Sequence, residues 1–270
     1  MWSEDFKQLG SIKFVKKVNN VTCCQGRVMV ADRFGDIHIY KINDIISEGD
    51  RAKTVGIMAL QCTVTSVAMT ADSKFVITGD KDEKICVTKF PETHAIEMFC
   101  LGHKEFVSAL APISDKLLVS GSADSTLRLW DFMSGKQLFK MELPGKQMVT
   151  QLCVLDAQHV LVLLEDENEL LVVRVENGTS LVEADRIKLP SAPAAVAPYA
   201  RGFLALSRSG SVMPFVPLKC LEGANISKIQ EAQEGKTNAA SIDVDEESEH
   251  KGVYFWKYRR GDGHRGDMSD

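Results

Sequence analysis

The chain has 270 residues, 44% of them hydrophobic, which is enough to bury one large core or two small ones and excludes a chain disordered throughout. A net charge of −5 argues against a nucleic-acid binder on average, yet residues 222–250 carry eight acidic side chains against Lys228 and Lys236, whereas 251–260 carries Lys251, Lys257, Arg259 and Arg260 and no acid. Seven scattered cysteines, with no C-x-x-C pair and no signal peptide, point to a reducing compartment and away from a disulfide framework or zinc site, and no apolar run reaches the ~18 residues of a membrane span.

In chain order, residues 1–12 read as the remnant of an outer strand. Five units follow, each a short apolar strand, a polar turn and a second strand. The strand–turn pairs are Val28–Asp32 with Arg33–Asp36, Phe75–Gly79 with Asp80–Glu83, Leu117–Gly121 with Ala123–Ser125, Val160–Leu164 with Asp166–Glu169, and Phe203–Leu206 with Ser207–Ser211. The first apolar residues after these turns are Ile37, Ile85, Leu127, Leu171 and Val212. Their spacings of 48, 42, 44 and 41 residues match the ~40–45 of propeller blades. The link Asp44–Lys53 reads as a mostly polar connection. Pro214 and Pro217 cannot donate to a ladder and predict a weak or edge third strand in the fifth unit. Residues 221–251 read as a flexible acidic loop, 252–258 as one more strand that could close the sheet array, and 259–270 as a mobile tail; the blades occupy 1–220.

The third unit, Leu101–Asp131, is complete by motif, with Gly102-His103 before its first strand and Trp130-Asp131 ending its third. That pattern marks a WD-repeat β-propeller blade and so an all-β fold. Its spacing lets His103, Ser120, Asp124 and Trp130 join in one buried hydrogen-bond chain, a structural role for all four. Such a chain stabilises only when every member is satisfied. The second unit has Thr78, Asp82 and Thr88 at the places of Ser120, Asp124 and Trp130. The first has Val30, Phe34 and Tyr40, so apolar packing is expected there instead.

No nucleophile elbow, phosphate-cradling loop, dinucleotide fingerprint or His-Glu-x-x-His motif occurs, and the six His stand far apart, so neither catalytic, cofactor-binding nor metal-binding residues are expected. Charge is dense at Asp80–Lys84 and at Lys104-Glu105 beside Phe106, on loops of adjacent blades. Arg128 shares strand parity with Trp130, which directs its head to the same side of the blade. These charges either solubilise the rim or bind a partner.

Val-Ala-Asp-Arg-Phe-Gly-Asp at 30–36, Ile-Thr-Gly-Asp-Lys-Asp-Glu-Lys-Ile at 77–85, Phe-Cys-Leu-Gly-His-Lys-Glu-Phe-Val at 99–107 and the run at 120–130 together resemble the non-catalytic WD-repeat subunit of tRNA (guanine-N7) methyltransferase. The close likeness covers roughly residues 28–131. It implies a scaffold without catalysis or cofactor of its own. Its partner is a catalytic methyltransferase subunit, held as a heterodimer, with tRNA engaged through the complex for N7-methylguanosine formation at position 46 of the variable loop. It also implies location in the nucleus, with the cytoplasm as a further site, and no membrane partner. Carried over by position, Lys84, Lys104, Glu105 and Arg128 become the partner-binding residues. The family propeller has seven blades, so five leave this chain about two short at its N-terminus. Cys86 stands where the family pattern leads one to expect a basic residue. A generic WD-repeat interaction adaptor, such as a ubiquitin-ligase substrate adaptor, is the alternative.

Overall fold

The computed structural model describes residues 9–60, 62–199, 202–207 and 216–217. Within them the chain forms antiparallel sheets whose strands pair in simple chain order. The first sheet contains β1 (Val18–Cys24), β2 (Arg27–Asp32), β3 (Asp36–Lys41) and β4 (Gly56–Ala59). The second contains β5 (Val64–Met69), β6 (Phe75–Asp80), β7 (Lys84–Lys89) and β8 (Ile96–Leu101). The third contains β9 (Val107–Pro112), β10 (Leu117–Ser122), β11 (Thr126–Asp131) and β12 (Lys136–Glu142). The fourth contains β13 (Val149–Val154), β14 (His159–Leu164), β15 (Glu169–Glu176) and β16 (Ser180–Lys188). The fifth has three described strands, β17 (Pro193–Tyr199), β18 (Gly202–Ser207) and β19 (Val216–Pro217).

The first strands of successive sheets, β1, β5, β9, β13 and β17, lie side by side, so the sheets are propeller blades radiating from a common axis. Each inter-blade seam has its own apolar core. Met29 and Ile39 of the first blade meet Val67 and Met69 of the second, and Ile77 and Ile85 meet Leu118 and Trp130 of the third. Leu127 and Leu129 meet Val149 and Val160 of the fourth, and Leu161 and Leu163 meet Val196 and Phe203 of the fifth. A middle strand is therefore buried on both faces, which is why β14 reads as the nearly unbroken apolar run His-Val-Leu-Val-Leu-Leu. Each fully buried Leu or Val contributes about 1.5–3 kcal/mol.

Polar ties reinforce the seams. The Gln151 side chain acts as a surrogate peptide between the fourth and fifth blades, donating to Val196 O at 2.7 Å and accepting from Val196 N at 3.0 Å. Asn19 donates to Val64 O at 3.1 Å across the first seam. At the third seam a Cβ on Gly121 would stand 2.4 Å from Val149 Cγ1, so only glycine lets β13 approach this closely.

Two expectations are corrected. The mostly polar link 44–53, expected between the first two blades, lies within the first blade, between β3 and β4, and is not a plain loop. Ile42–Glu48 forms a helix, α1, followed by a 3-10 turn at Gly49–Arg51. Ile42 and Ile45, three residues apart, share one helix face and pack on Val28, Val30 and Tyr40. Gly49, at φ 57°, ends the helix, with its N–H bonded to Ile45 O. Residues 9–12 form no strand; Ile12 joins the α1 cluster, with Phe14 beside it. Residues 1–8, the turn beyond Ser207 with Val212 and Pro214, the acidic loop 221–251, the strand 252–258 and the tail lie outside the described residues. Pro217 falls in the two-residue strand β19, which pairs with β18 and is last in the described part of the fifth blade.

Candidate functional site

The seam between the second and third blades holds the densest polar network. The Trp130 indole N–H donates to Ser120 Oγ at 2.8 Å, and that oxygen lies 2.7 Å from His103 Nε2. His103 Nδ1 lies 3.0 Å from Asp124 Oδ2. The Asp124 carboxylate can only accept, so Nδ1 carries the imidazole proton and donates to it; Nε2 of the neutral ring then accepts from the Ser120 hydroxyl. Ser120 and Trp130 are fully buried and His103 nearly so, and the four residues expected to form a chain are thus joined in one.

Burial pushes His103 below its ordinary pKa, against the pull of Asp124. For Asp124, burial works in the opposite direction, but hydrogen bonds from His103, Thr126 and the Lys104 amide overcome it and hold the carboxyl below the usual carboxylate range. Both shifts favour a neutral imidazole beside a carboxylate at neutral pH.

Arg128 belongs to this network rather than to an outward set. It is 5% exposed and donates from Nη1 to Gln137 Oε1 at 2.6 Å and from Nε to Thr126 Oγ1 at 3.3 Å, with Nη2 3.5 Å from Asp124 Oδ2. Strand parity correctly directs its head to the Trp130 side, but the connector through Gly102 passes over it. A Cβ on Gly102 would stand 2.5 Å from Arg128 Nη1 and 3.2 Å from Trp130 Cη2. Its surface is therefore withdrawn from any direct charge contact in this conformation.

Lys84, Lys104 and Glu105 differ. Their side chains are exposed, but their backbones are pinned. Lys84 N donates to Asp80 Oδ1 at 2.9 Å, Lys104 N donates to Asp124 Oδ2 at 3.0 Å, and Glu105 O accepts from Ser122 Oγ at 3.0 Å. Lys84 pairs loosely with Asp82 at 3.7 Å, and neither Lys104 nor Glu105 forms an ion pair among the described residues. The two loops are neighbours, since Glu83 acts electrostatically on His103 across the seam. Chemically, this is a fixed display of free charge rather than a reaction centre.

The neighbouring blades depart from expectation at the equivalent places. Asp82 is exposed, and buried Asp80 takes the turn instead, accepting from the Asp82 and Lys84 amides at 2.9 Å each. Among the described residues the buried Thr88 hydroxyl has no hydrogen-bond partner, and the Thr78 hydroxyl faces the Cys86 thiol. In the first blade Val30 and Tyr40 are packed as apolar residues. Phe34 is not: it is 63% exposed, with Lys16 Nζ 5.3 Å from its ring centre. Sequence reading passed over Asp80 and Asp32, the last residues of the strands before the turns; their signal is an Asp two residues before the turn amide it binds. The buried thiols of Cys86, Cys100 and Cys153 are held protonated and are poor nucleophiles: burial pushes Cys86 up to about 11 and Cys100 and Cys153 up to about 12.

The family described as the tRNA methyltransferase TRM82 WD40 domain matches residues 55–209, more than half of the chain. Among relatives, a protein of Mus musculus named tRNA (guanine-N(7)-)-methyltransferase non-catalytic subunit WDR4 is 41% identical over 128 residues, covering 47% of this chain and 30% of its own length. The wuho non-catalytic subunit of Drosophila mojavensis is 40% identical over 127 residues, 46% of this chain and 32% of its own. That of Drosophila pseudoobscura pseudoobscura is 34% identical over 180 residues, 64% and 44% respectively. The chain thus spans less than half the length of these relatives. A chain of a mitotic checkpoint complex superposes with a TM-score of 0.60 at 16% identity, over 72% of this chain and 62% of its own. The designed protein Ika8 superposes with a TM-score of 0.58 at 21% identity, over 77% and 61%. These two likenesses concern the fold alone. The radial blades, the Gly-His to Trp-Asp unit with its buried chain and the match across residues 55–209 make this chain a member of the tRNA methyltransferase TRM82 WD40 domain family.

Proposed function

We propose that the chain acts as a non-catalytic scaffold that binds and stabilises the catalytic subunit of a tRNA (guanine-N7) methyltransferase, as a heterodimer that engages tRNA through the complex in the nucleus. The observation that carries this reading is the pinned display of Lys84, Lys104 and Glu105 on adjacent blades, in a chain whose relatives are named for that subunit. Fixed backbone under free charged heads suits docking, because the entropy of ordering the loop is spent in folding and not in binding. Arg128 contributes from below, holding Asp124 and with it the Lys104 amide. No step of methyl transfer is assigned to this chain.

The test is co-purification. The chain is co-expressed with a catalytic subunit from the same source, and Lys104→Glu is combined with Glu105→Lys. Retention of the partner should fall at least tenfold while circular dichroism of the chain is unchanged. Equal retention by the double variant removes these residues from the interface. Failure of the unaltered chain to retain any methyltransferase, together with capture of unrelated peptides, favours the general adaptor instead.

A further inference from the structure

The turn between β2 and β3 holds a second polar cluster, remote in the chain from the docking residues. Asp32, Asp36 and His38 fall on one face of the hairpin by strand parity, since Val30 faces His38 and Ala31 faces Ile37 across the ladder. One donor atom from each, two carboxylate oxygens and an imidazole nitrogen, lie within 4.8 Å of one another. The sequence shows no metal-ligand spacing here because two of the three flank a turn, and only the hairpin brings them together.

Asp32 is divided between two roles. Its Oδ1 is used by the turn, accepting from Phe34 N at 2.8 Å and Asp36 N at 3.1 Å. Its Oδ2 is buried and receives no hydrogen bond, although the residue is only 1% exposed. What faces that oxygen is the Lys16 ammonium at 3.5 Å, which also hydrogen-bonds Asp36 and lies over the Phe34 ring. Lys16 is 47% exposed and reaches in from a segment without regular structure. Two carboxylates against one ammonium leave the cluster with a net negative charge. His38 belongs to a cluster of three rings, with Tyr40 stacked at 6.4 Å, Phe14 tilted at 5.8 Å, and those two in edge contact with each other.

We infer that Asp32, Asp36 and His38 form a site for a borderline divalent cation of the zinc class, with Lys16 as the built-in counter-ion that the metal displaces. Mixed carboxylate and imidazole donors suit such a cation, whereas a hard cation prefers oxygen alone. Bonds of about 2.0–2.2 Å require the three donors to close inward by roughly an ångström. Asp36 and His38, both half-exposed, have that freedom, and the Asp32 oxygen is already fixed in place. Lys16 then swings into solvent, and water completes the coordination shell. The site is independent of the methyltransferase reading, since neither the docking loops nor the second seam takes part in it.

The experiment is isothermal titration of the full chain with Zn2+. Lys16→Ala should tighten binding at least tenfold, because the competing charge is gone. In that background, His38→Ala and Asp36→Asn should each weaken it at least tenfold; all three positions are at the surface, and circular dichroism checks that the fold is kept. Equal affinity in Lys16→Ala and the unaltered chain, or no loss on changing His38, overturns the proposal and places any Zn2+ uptake elsewhere in the chain.

Discussion

The second and third blades share register, turn placement and packing, but they differ in how they treat the same buried positions. In the third, Ser120 and Trp130 face His103 and Asp124, and each polar atom has a partner. In the second, Thr78 and Thr88 occupy those two positions, and the Thr88 hydroxyl has no partner among the described residues. Both blades stand, so the polar chain is not needed to form a blade. It adds rigidity to one seam, where an exposed loop is then fixed, while the neighbouring seam, between the first and second blades, relies on Met29, Ile39, Val67 and Met69 for its cohesion.

The strongest way to break the contrast is Trp130→Ala. It removes a fully buried indole from the seam core and should cost about 3–5 kcal/mol in urea unfolding. Next comes the paired comparison that isolates the hydrogen bonds. Ser120→Ala orphans His103 Nε2 and the Trp130 indole and should destabilise by about 1–3 kcal/mol, whereas Thr88→Val discards an orphan and should leave stability equal or raised by about 1 kcal/mol. The same sign for both would mean that the two seams are not as different as their geometry. Arg128→Leu should also cost about 1–3 kcal/mol, by removing hydrogen bonds to Gln137, Thr126 and Asp124, so partner loss in that variant has to be read against its unfolding curve.

A gentler probe is pH. The folded His103 pKa lies below that of the unfolded chain, so on acidification the unfolded form takes up the proton first. Stability from this group is full above the unfolded value of about 6.5 and is lost as pH falls from there toward the folded value, at no more than about 1.4 kcal/mol per pH unit. Urea midpoints at pH 7.5 and 5.5 should separate for the unaltered chain and move together in His103→Gln, a change confined to the third blade. The smallest effect belongs to Lys104→Glu, which should alter stability by less than about 0.5 kcal/mol, since its exposed head forms no ion pair among the described residues.

Much of this arrangement is legible in the sequence. Alternation and spacing place the second and third strands of the first four blades within a residue or two, because a blade buried on both faces has little freedom of register. His103, Ser120, Asp124 and Trp130 are legible as a set because their chain spacing is itself the geometry of one blade. Arg128 is misread as outward because parity gives a side but not what covers it; the cover comes from Gly102, on the neighbouring connector. Helix α1 escapes notice because seven residues carry too little periodicity, and its apolar face is defined only by the sheet beneath. The Asp32 cluster is missed for a similar reason, since a turn and a separate lysine assemble it.

At Gly102–Phe106 the backbone is clamped by Asp124, by Ser122 and by the Ala123 amide on Phe106 O, while the heads of Lys104 and Glu105 project freely. Folding therefore reads this loop through its main chain, and a visitor reads it through its side chains. The two readings share no atoms, so the address written at 104 and 105 can be exchanged for another without rewriting the frame that carries it.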